Sequence, residues 1–341
     1  MKIVRANKVQ ITKHIYENIE RGKKMIFEKL NEKYIEDAVK LAQAQYNMEQ
    51  KCIEALYEKD YKEILTALLE DIFKSKYGAV AVERGEILGY LSFWGGINEH
   101  FGNVKGSFSP IFANAYKVEN RGKIVSLLFQ HASEEMIKEE ILSYAISVYS
   151  HDTEVIEALS MNGFGIRCSD AIRNIGKPLD IQINTDYSYE EIHYSKVGCL
   201  LSLKNSLARH MENSPIYFPQ KKFSEESFMK LCYKRQSRFF IVKDKLEIIG
   251  YLEIKNDGET FITEEPDYLH ICGAYLKEDY RGKNILQNLL SYVIETLRDD
   301  GIKRLGVDCE TINPAALKFW RKYFDSYTYS FVRRVDERIL R

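Results

Sequence analysis

An apolar, strand-like stretch ending at Leu276 runs into the polar turn Lys277-Glu278-Asp279-Tyr280-Arg281-Gly282-Lys283-Asn284, which opens onto Ile285, Leu286, Leu289 and Leu290 at helical spacing. A turn of this kind aims successive backbone N–H groups and the positive end of a helix dipole at one point. Arg281 and Lys283 add positive charge. The combination suits a pyrophosphate or a similar anion. Thiol and metal chemistry find less support. The six cysteines, Cys52, Cys168, Cys199, Cys232, Cys272 and Cys309, are dispersed, with no CxxC pair and no zinc-ligand spacing. They read as reduced thiols, and no metal site is expected.

The elements that must position this turn are legible around it. The hairpin Phe239–Ile254, folded at Lys243-Asp244-Lys245, and a strand over Leu269–Leu276 precede it. A helix over Asn284–Asp299 follows, with a wide apolar face and a stop at Gly301. Then come a strand over Arg304–Cys309, a helix over Pro314–Tyr323 and a strand over Tyr327–Val332. Upstream, Leu179–Ile183 reads as a short strand, and Tyr189–Met211 and Ser224–Gln236 read as helices.

The first half of the chain repeats this order, with a hairpin over Val80–Phe93, a strand over Gly106–Ala115 and a helix over Ile124–Lys138. Three phrases recur about 160 residues apart. Gly89-Tyr90-Leu91 matches Gly250-Tyr251-Leu252, Asn114-Ala115-Tyr116 matches Gly273-Ala274-Tyr275, and Arg121-Gly122-Lys123 matches Arg281-Gly282-Lys283. A long unit used twice implies two domains rather than a solenoid. The expected division is an added arm over residues 1–24, a first domain over 25–176 and a second over 177–341, parted at Gly176-Lys177-Pro178. Hairpins beside strand–helix–strand units imply an α/β (mixed α+β) class, each domain a mixed, mostly antiparallel sheet flanked by helices.

The turn around Arg281 resembles the acetyl-CoA signature of the GNAT superfamily of N-acetyltransferases, Arg/Gln-x-x-Gly-x-Gly/Ala. Asn313-Pro314-Ala315-Ala316-Leu317-Lys318-Phe319-Trp320 is similar to that family's next motif, Asn-x-x-Ala-x-x-Phe-Tyr. The resemblance implies tandem GNAT domains with acetyl-CoA as cosubstrate in the second. It implies cofactor contacts along Ala274, Tyr275 and Leu276, through Arg281, Gly282, Lys283, Asn284, Ile285 and Leu286, to Asn313, Ala316, Phe319 and Trp320. Asn284 and Leu286 stand where the signature has small residues, and Trp320 stands where the family often has a tyrosine. The first half keeps the basic turn, lacks the glycine that follows it and lacks the Asn–Ala pair, so its cofactor motif is degenerate.

The implied reaction is direct transfer of an acetyl group to a primary amine on a small molecule or peptide. It needs a base for the acceptor ammonium, commonly a carboxylate or imidazole. Glu253 and His270 lie on the flanking strands, and His210 lies in the segment that should roof the acceptor pocket. Tyr329 is a candidate for the proton donor, because the Trp320 indole offers only a hydrogen bond. Each has a plain structural alternative as a satisfied core histidine, a solvated strand face or a surface loop. Leu286 and Trp320 also keep open a non-catalytic acyl-CoA-binding or regulatory protein, and paired GNAT domains resemble aminoacyl transferases that use tRNA. The net charge of -1 on 341 residues disfavours nucleic acid as the principal ligand. No apolar run of ~18 residues exists and the first residues lack an apolar leader segment, so a cytoplasmic location without a membrane partner is expected, as monomer or homodimer.

Overall fold

Each half of the chain unrolls nearly the same succession of elements in a computed structural model that describes residues 25–256 and 258–340. The expected arm over residues 1–24 lies outside the described residues. The first half contains β1 (Ile26–Glu28), α1 (Ile35–Cys52), α2 (Lys62–Ile72), β2 (Gly78–Glu83), β3 (Glu86–Ser92), β4 (Trp94–Ile97), β5 (Lys105–Ser109), β6 (Asn114–Tyr116), α3 (Arg121–Lys138), β7 (Ile141–Tyr149), α4 (Thr153–Met161) and β8 (Gly165–Asn174). The second contains β9 (Ser188–Ile192), α5 (Leu201–Glu212), α6 (Glu225–Arg235), β10 (Arg238–Asp244), β11 (Glu247–Lys255), β12 (Tyr268–Leu276), α7 (Ile285–Asp299), β13 (Arg304–Glu310), α8 (Pro314–Trp320) and β14 (Asp325–Arg334).

Strands β10 to β12 read as near-continuous apolar runs because both faces are covered. Phe239, Ile241 and Tyr251 pack under α5 and α6 with Leu203, Phe228 and Cys232. Phe240, Val242, Leu252 and Ile254 face the other way, against Ile285, Leu289, Val293 and Leu297 of α7. The repeated glycines have the same steric task in both halves. A Cβ on Gly89 would come within 2.9 Å of the Ala115 carbonyl oxygen, and one on Gly250 within 2.9 Å of the Tyr275 carbonyl oxygen.

Two sheets form, ordered β1-β2-β3-β6 and β4-β5-β7-β14-β8-β13-β12-β11-β10-β9. The long sheet joins the halves by exchange of their last strands. β8 pairs antiparallel with β13 of the second half, β14 pairs antiparallel with β7 of the first, and β8 and β14 pair with each other. Ser169 stands opposite Tyr329, and the bulged residues are Arg167 on one strand and Tyr327 on the other, so a local two-fold axis relates the halves. The break expected after Gly176 is therefore a break in sequence, while in space β8 lies inside the second half's sheet.

Three readings of the elements are corrected. Residues 179–183 form no strand; the edge strand is β9, inside the stretch expected to be helical. Pairing with β10 prevails there over the helical preference of its glutamates, which face Arg238 and Lys243 across the ladder. The single strand expected over Gly106–Ala115 is split into β5 and β6 at Pro110, which has no N–H to give to a ladder. β4 was not foreseen. Since the Tyr275 carbonyl cannot turn aside as the Leu276 and Val242 side chains can, Gly250→Ala should cost roughly 1–3 kcal/mol of stability, read as a lowered urea midpoint with the unfolding slope unchanged.

Candidate acyl-CoA groove and acceptor site

Strands β12 and β13 run parallel and paired only from Tyr268–Arg304 to Ile271–Val307, then separate. The separation coincides with a bulge. Glu253 of β11 faces Gly273 while Ile254 faces Ile271, which leaves Cys272 as the extra residue. A bulge bends its strand and adds twist, and this one turns the end of β12 away from β13. Lys277 donates its amide to the Ile249 carbonyl at 2.9 Å. By the alternation of an antiparallel ladder, Ala274 and Leu276 then direct their N–H groups into the cleft between the strands. Residues 272–275 are only partly buried, whereas those before the bulge are buried.

The cleft leads to the basic turn. Gly282 and Asn284 take left-handed backbone angles, φ +77 and +59, and Asn284 caps α7 without using its side chain. Among the described residues, the amides of 282–287 have no hydrogen-bond acceptor. They lie at the positive end of a 15-residue helix. Above Gly282 there is open space, since an added Cβ would meet nothing within 4 Å. Arg281 donates through Nε to the Leu276 carbonyl at 3.1 Å and lies over the Tyr275 ring, which fixes the loop against β12. Lys283 lies over Tyr280. Ile285 is buried and Leu286 packs against the core, so neither side chain plugs the turn. Asn313 caps α8, its Oδ1 accepting from the Ala316 N–H at 3.3 Å, with Pro314 in the first turn. Ala316 and Phe319 sit at the margin of the core. Trp320 is buried in the core beside Phe324.

The first half supplies an internal control, because the same fold there has this groove filled. Its Arg-Gly-Lys phrase forms the first turn of α3 instead of a loop. Arg121 is buried against Asp152 at 2.7 Å, and Asp152 is the N-cap of α4, as Asn313 is of α8. A Cβ on Gly122 would lie 3.0 Å from the Glu154 carbonyl oxygen of α4, where Gly282 faces open space. In the sheet Tyr116 pairs with Gly89 as Leu276 pairs with Gly250, which shifts the match of Asn114-Ala115-Tyr116 by one residue, onto Ala274-Tyr275-Leu276. Gln45 of α1 accepts from the Tyr116 N–H and from Arg121, each at 3.1 Å, so the amide in Leu276's place is satisfied internally. Asn114, in Ala274's place, bridges to the Ser147 carbonyl at 2.9 Å. The degenerate motif of the first half thus corresponds to a closed slot.

The proton-transfer candidates fall into two buried networks. Glu253 is fully buried, bonded to Lys204 Nζ at 2.7 Å and to Ser237 Oγ at 3.1 Å, beside the backbone of Gly273. With an ion pair already made, it is no free base. His270 is buried between the Tyr268 hydroxyl, 2.7 Å from Nδ1, and Asp308 Oδ1, 2.8 Å from Nε2. Asp308 is the first residue of β13 beyond its pairing with β12, and 38% of its side chain is exposed. Burial raises the Asp308 carboxyl, but the His270 hydrogen bond and charge outweigh it and hold the group below its ordinary value. His210, at the end of α5, lies near Arg281 and Asn313; burial, then the Arg281 charge, lowers its imidazole. Tyr329 sits on the two-fold axis against the first half's core, two strand spacings (~10 Å) from β13. It is not brought to the cleft, because β14 crosses to β7.

Asp308 and Lys204 were missed from sequence. Alternation along Arg304–Cys309 could have put Asp308 on the face opposite Leu305 and Val307, but only the parallel register brings it to His270. Removing Lys204 leaves the buried Glu253 carboxylate with only the more distant Arg235, 3.9 Å from Oε1. Lys204→Met should therefore cost about 3–5 kcal/mol, and the double variant with Glu253→Gln should recover most of that loss in thermal unfolding.

Residues 205–325 match the model of the acetyltransferase (GNAT) family. No curated protein matches the chain. Among solved structures, a GCN5-related N-acetyltransferase from Sphaerobacter thermophilus is similar with a TM-score of 0.57 at 11% identity, over 91% of this chain and 95% of that one. A GCN5-related glucosamine N-acetyltransferase region of a fungal multi-domain GH3 beta-N-acetylglucosaminidase gives 0.53 at 12% identity, over 92% of this chain and 39% of that one. At such identities the likeness is one of fold. The family match, to residues 205–325, falls in the half whose cleft is open, and that half is similar to the acetyltransferase (GNAT) family in sequence pattern and fold.

Proposed function

We propose that the second half binds acyl-CoA, with acetyl-CoA as the donor, and transfers the acyl group to a primary amine. The row of unpaired amides at Gly282–Gln287, open to solvent beside the parted strands, carries this reading. Those amides, with Arg281 and Lys283, suit a pyrophosphate, and Asn313 and Ala316 border the continuation of the groove. Bound there, acyl-CoA supplies a thioester carbonyl for attack by the amine. The N–H groups of Ala274 and Leu276 are the donors available along the cleft to polarise that carbonyl. Asp308 reaches the cleft from the other wall and takes the proton of the acceptor ammonium, while His270, held by Tyr268, keeps the carboxylate oriented. The first half contributes no second donor site in this reading; its slot is filled by Gln45, Arg121 and Asp152.

Two outcomes are expected. Calorimetry with acetyl-CoA should show at least tenfold weaker binding for Arg281→Glu than for wild type, and equal affinities would remove Arg281 from the site. Asp308→Asn should bind acetyl-CoA as wild type does yet release CoA at least a hundredfold more slowly with an amine library. Binding without any CoA release by the wild-type protein would favour the alternative of a non-catalytic acyl-CoA sensor.

A further inference from the structure

The exchanged strand β8 sets a first-half carboxylate beside Asp308 of the second half. Asp170 stands directly opposite Asp308 in the β8–β13 ladder, so both side chains project from one face. Asp170 is buried and accepts a hydrogen bond from the Thr328 hydroxyl. Like charges directly opposite one another destabilise a sheet, and no lysine or arginine is bonded to either carboxylate among the described residues. Arg167 Nε is engaged by Glu310 at 2.8 Å, and Lys255, whose Nζ lies 3.9 Å from Glu259, acts on Asp308 only through its charge. His270 is bonded to Asp308, and its charge also reaches Asp170, so one imidazole serves two carboxylates.

The two-fold axis shows that the fold does not require this arrangement. The pair related to Asp308–Asp170 is Ser147–Ser330, whose hydroxyls bond each other at 2.7 Å. His270 is matched by Phe108 of β5, and Glu253 by Ser92 of β3. Positions that are ionisable in the open half are uncharged in the closed one.

We propose that Asp170 is a specificity-determining residue of the second half's acceptor site: with Asp308 it holds the ammonium form of the incoming amine, so the acceptor is a cationic amine whose charge offsets the second carboxylate of a pair served by one imidazole. The proposal rests on the acyl-transfer reading above. Asp308 then receives the proton that frees the nitrogen, while Asp170 keeps the site anionic. Burial, assisted by the nearby Asp308 and Glu259 and opposed by the Thr328 hydrogen bond and the His270 charge, pushes the Asp170 carboxyl up to about 7. A carboxyl whose folded value is raised holds its proton longer in the native state than in the unfolded chain, so stability falls as pH rises from about 4 to 7.

The test uses the full chain, acetyl-CoA and 1,4-diaminobutane as probe. Asp170→Ser, which copies the residue at the related position, and Asp170→Asn should unfold at a higher temperature than wild type at pH 8 but not at pH 4.5. They should lose the stabilisation that the diamine gives wild type. Their kcat/KM for the amine should fall at least tenfold while their affinity for acetyl-CoA stays the same. The proposal is overturned if both variants keep the wild-type pH dependence of unfolding and its response to the diamine, or if they turn over the amine within twofold of wild type. Wild-type protein that is stabilised by the diamine through Asp170 yet never releases CoA would instead sink the transferase reading and leave the amine site standing.

Discussion

The parting of two parallel strands governs what this molecule can bind. β12 and β13 share a ladder only as far as Ile271 and Val307, and the extra residue Cys272 turns β12 aside at that point. Backbone groups that would have been spent on pairing become available for a ligand. A buried strand whose N–H groups lack partners is costly, so the opening persists only where water or a ligand can reach it. The partial exposure of residues 272–275 meets that condition. The basic turn, the α7 dipole and the Asp308–His270 pair matter because they are arranged around this gap.

The duplication separates what the fold needs from what the site needs. Gly89 and Gly250 recur because each lies under a neighbouring carbonyl, a constraint of packing common to both halves. The Arg-Gly-Lys phrase recurs in sequence but differs in conformation. In the first half it is wound into a helix and its arginine is neutralised by Asp152, whereas in the second it stays an exposed loop. The same three residues therefore bury one cation and present another. What decides between the two is the neighbour: α4 lies against Gly122, and nothing lies above Gly282.

Local features of the site were legible in the sequence. The turn over residues 277–284, the apolar face of α7 and the Asn313 cap are encoded within a few residues of where they act. The helices and most strands of both halves followed from periodicity, and the repeat indicated two units. The missing parts are relations between distant segments. Asp308 reaches His270 through a parallel register 38 residues apart in sequence, and Asp170 reaches Asp308 through an exchanged strand. Tyr329 was placed by proximity in sequence to α8, and the crossing of β14 to the first half carries it away. Glu253 is placed by the β11 strand pattern, but its engagement by Lys204 depends on how α5 crosses the sheet. Trp320 follows from its motif position, and its burial beside Phe324 depends on how α8 packs on the sheet.

The exchange of β8 and β14 also has a bearing on how the chain is made. The flank of β7 that β14 covers stays bare until residues 325–334 have left the ribosome, roughly 180 residues after β7 itself, which at 5–20 residues per second is an interval of about 10–40 s. For that time the nascent first half carries an unsatisfied sheet edge, a surface prone to join another chain. Polysomes translating this message would hold such edges side by side, so the same topology that stitches the two halves into one sheet sets a window in which neighbouring nascent chains could trade strands.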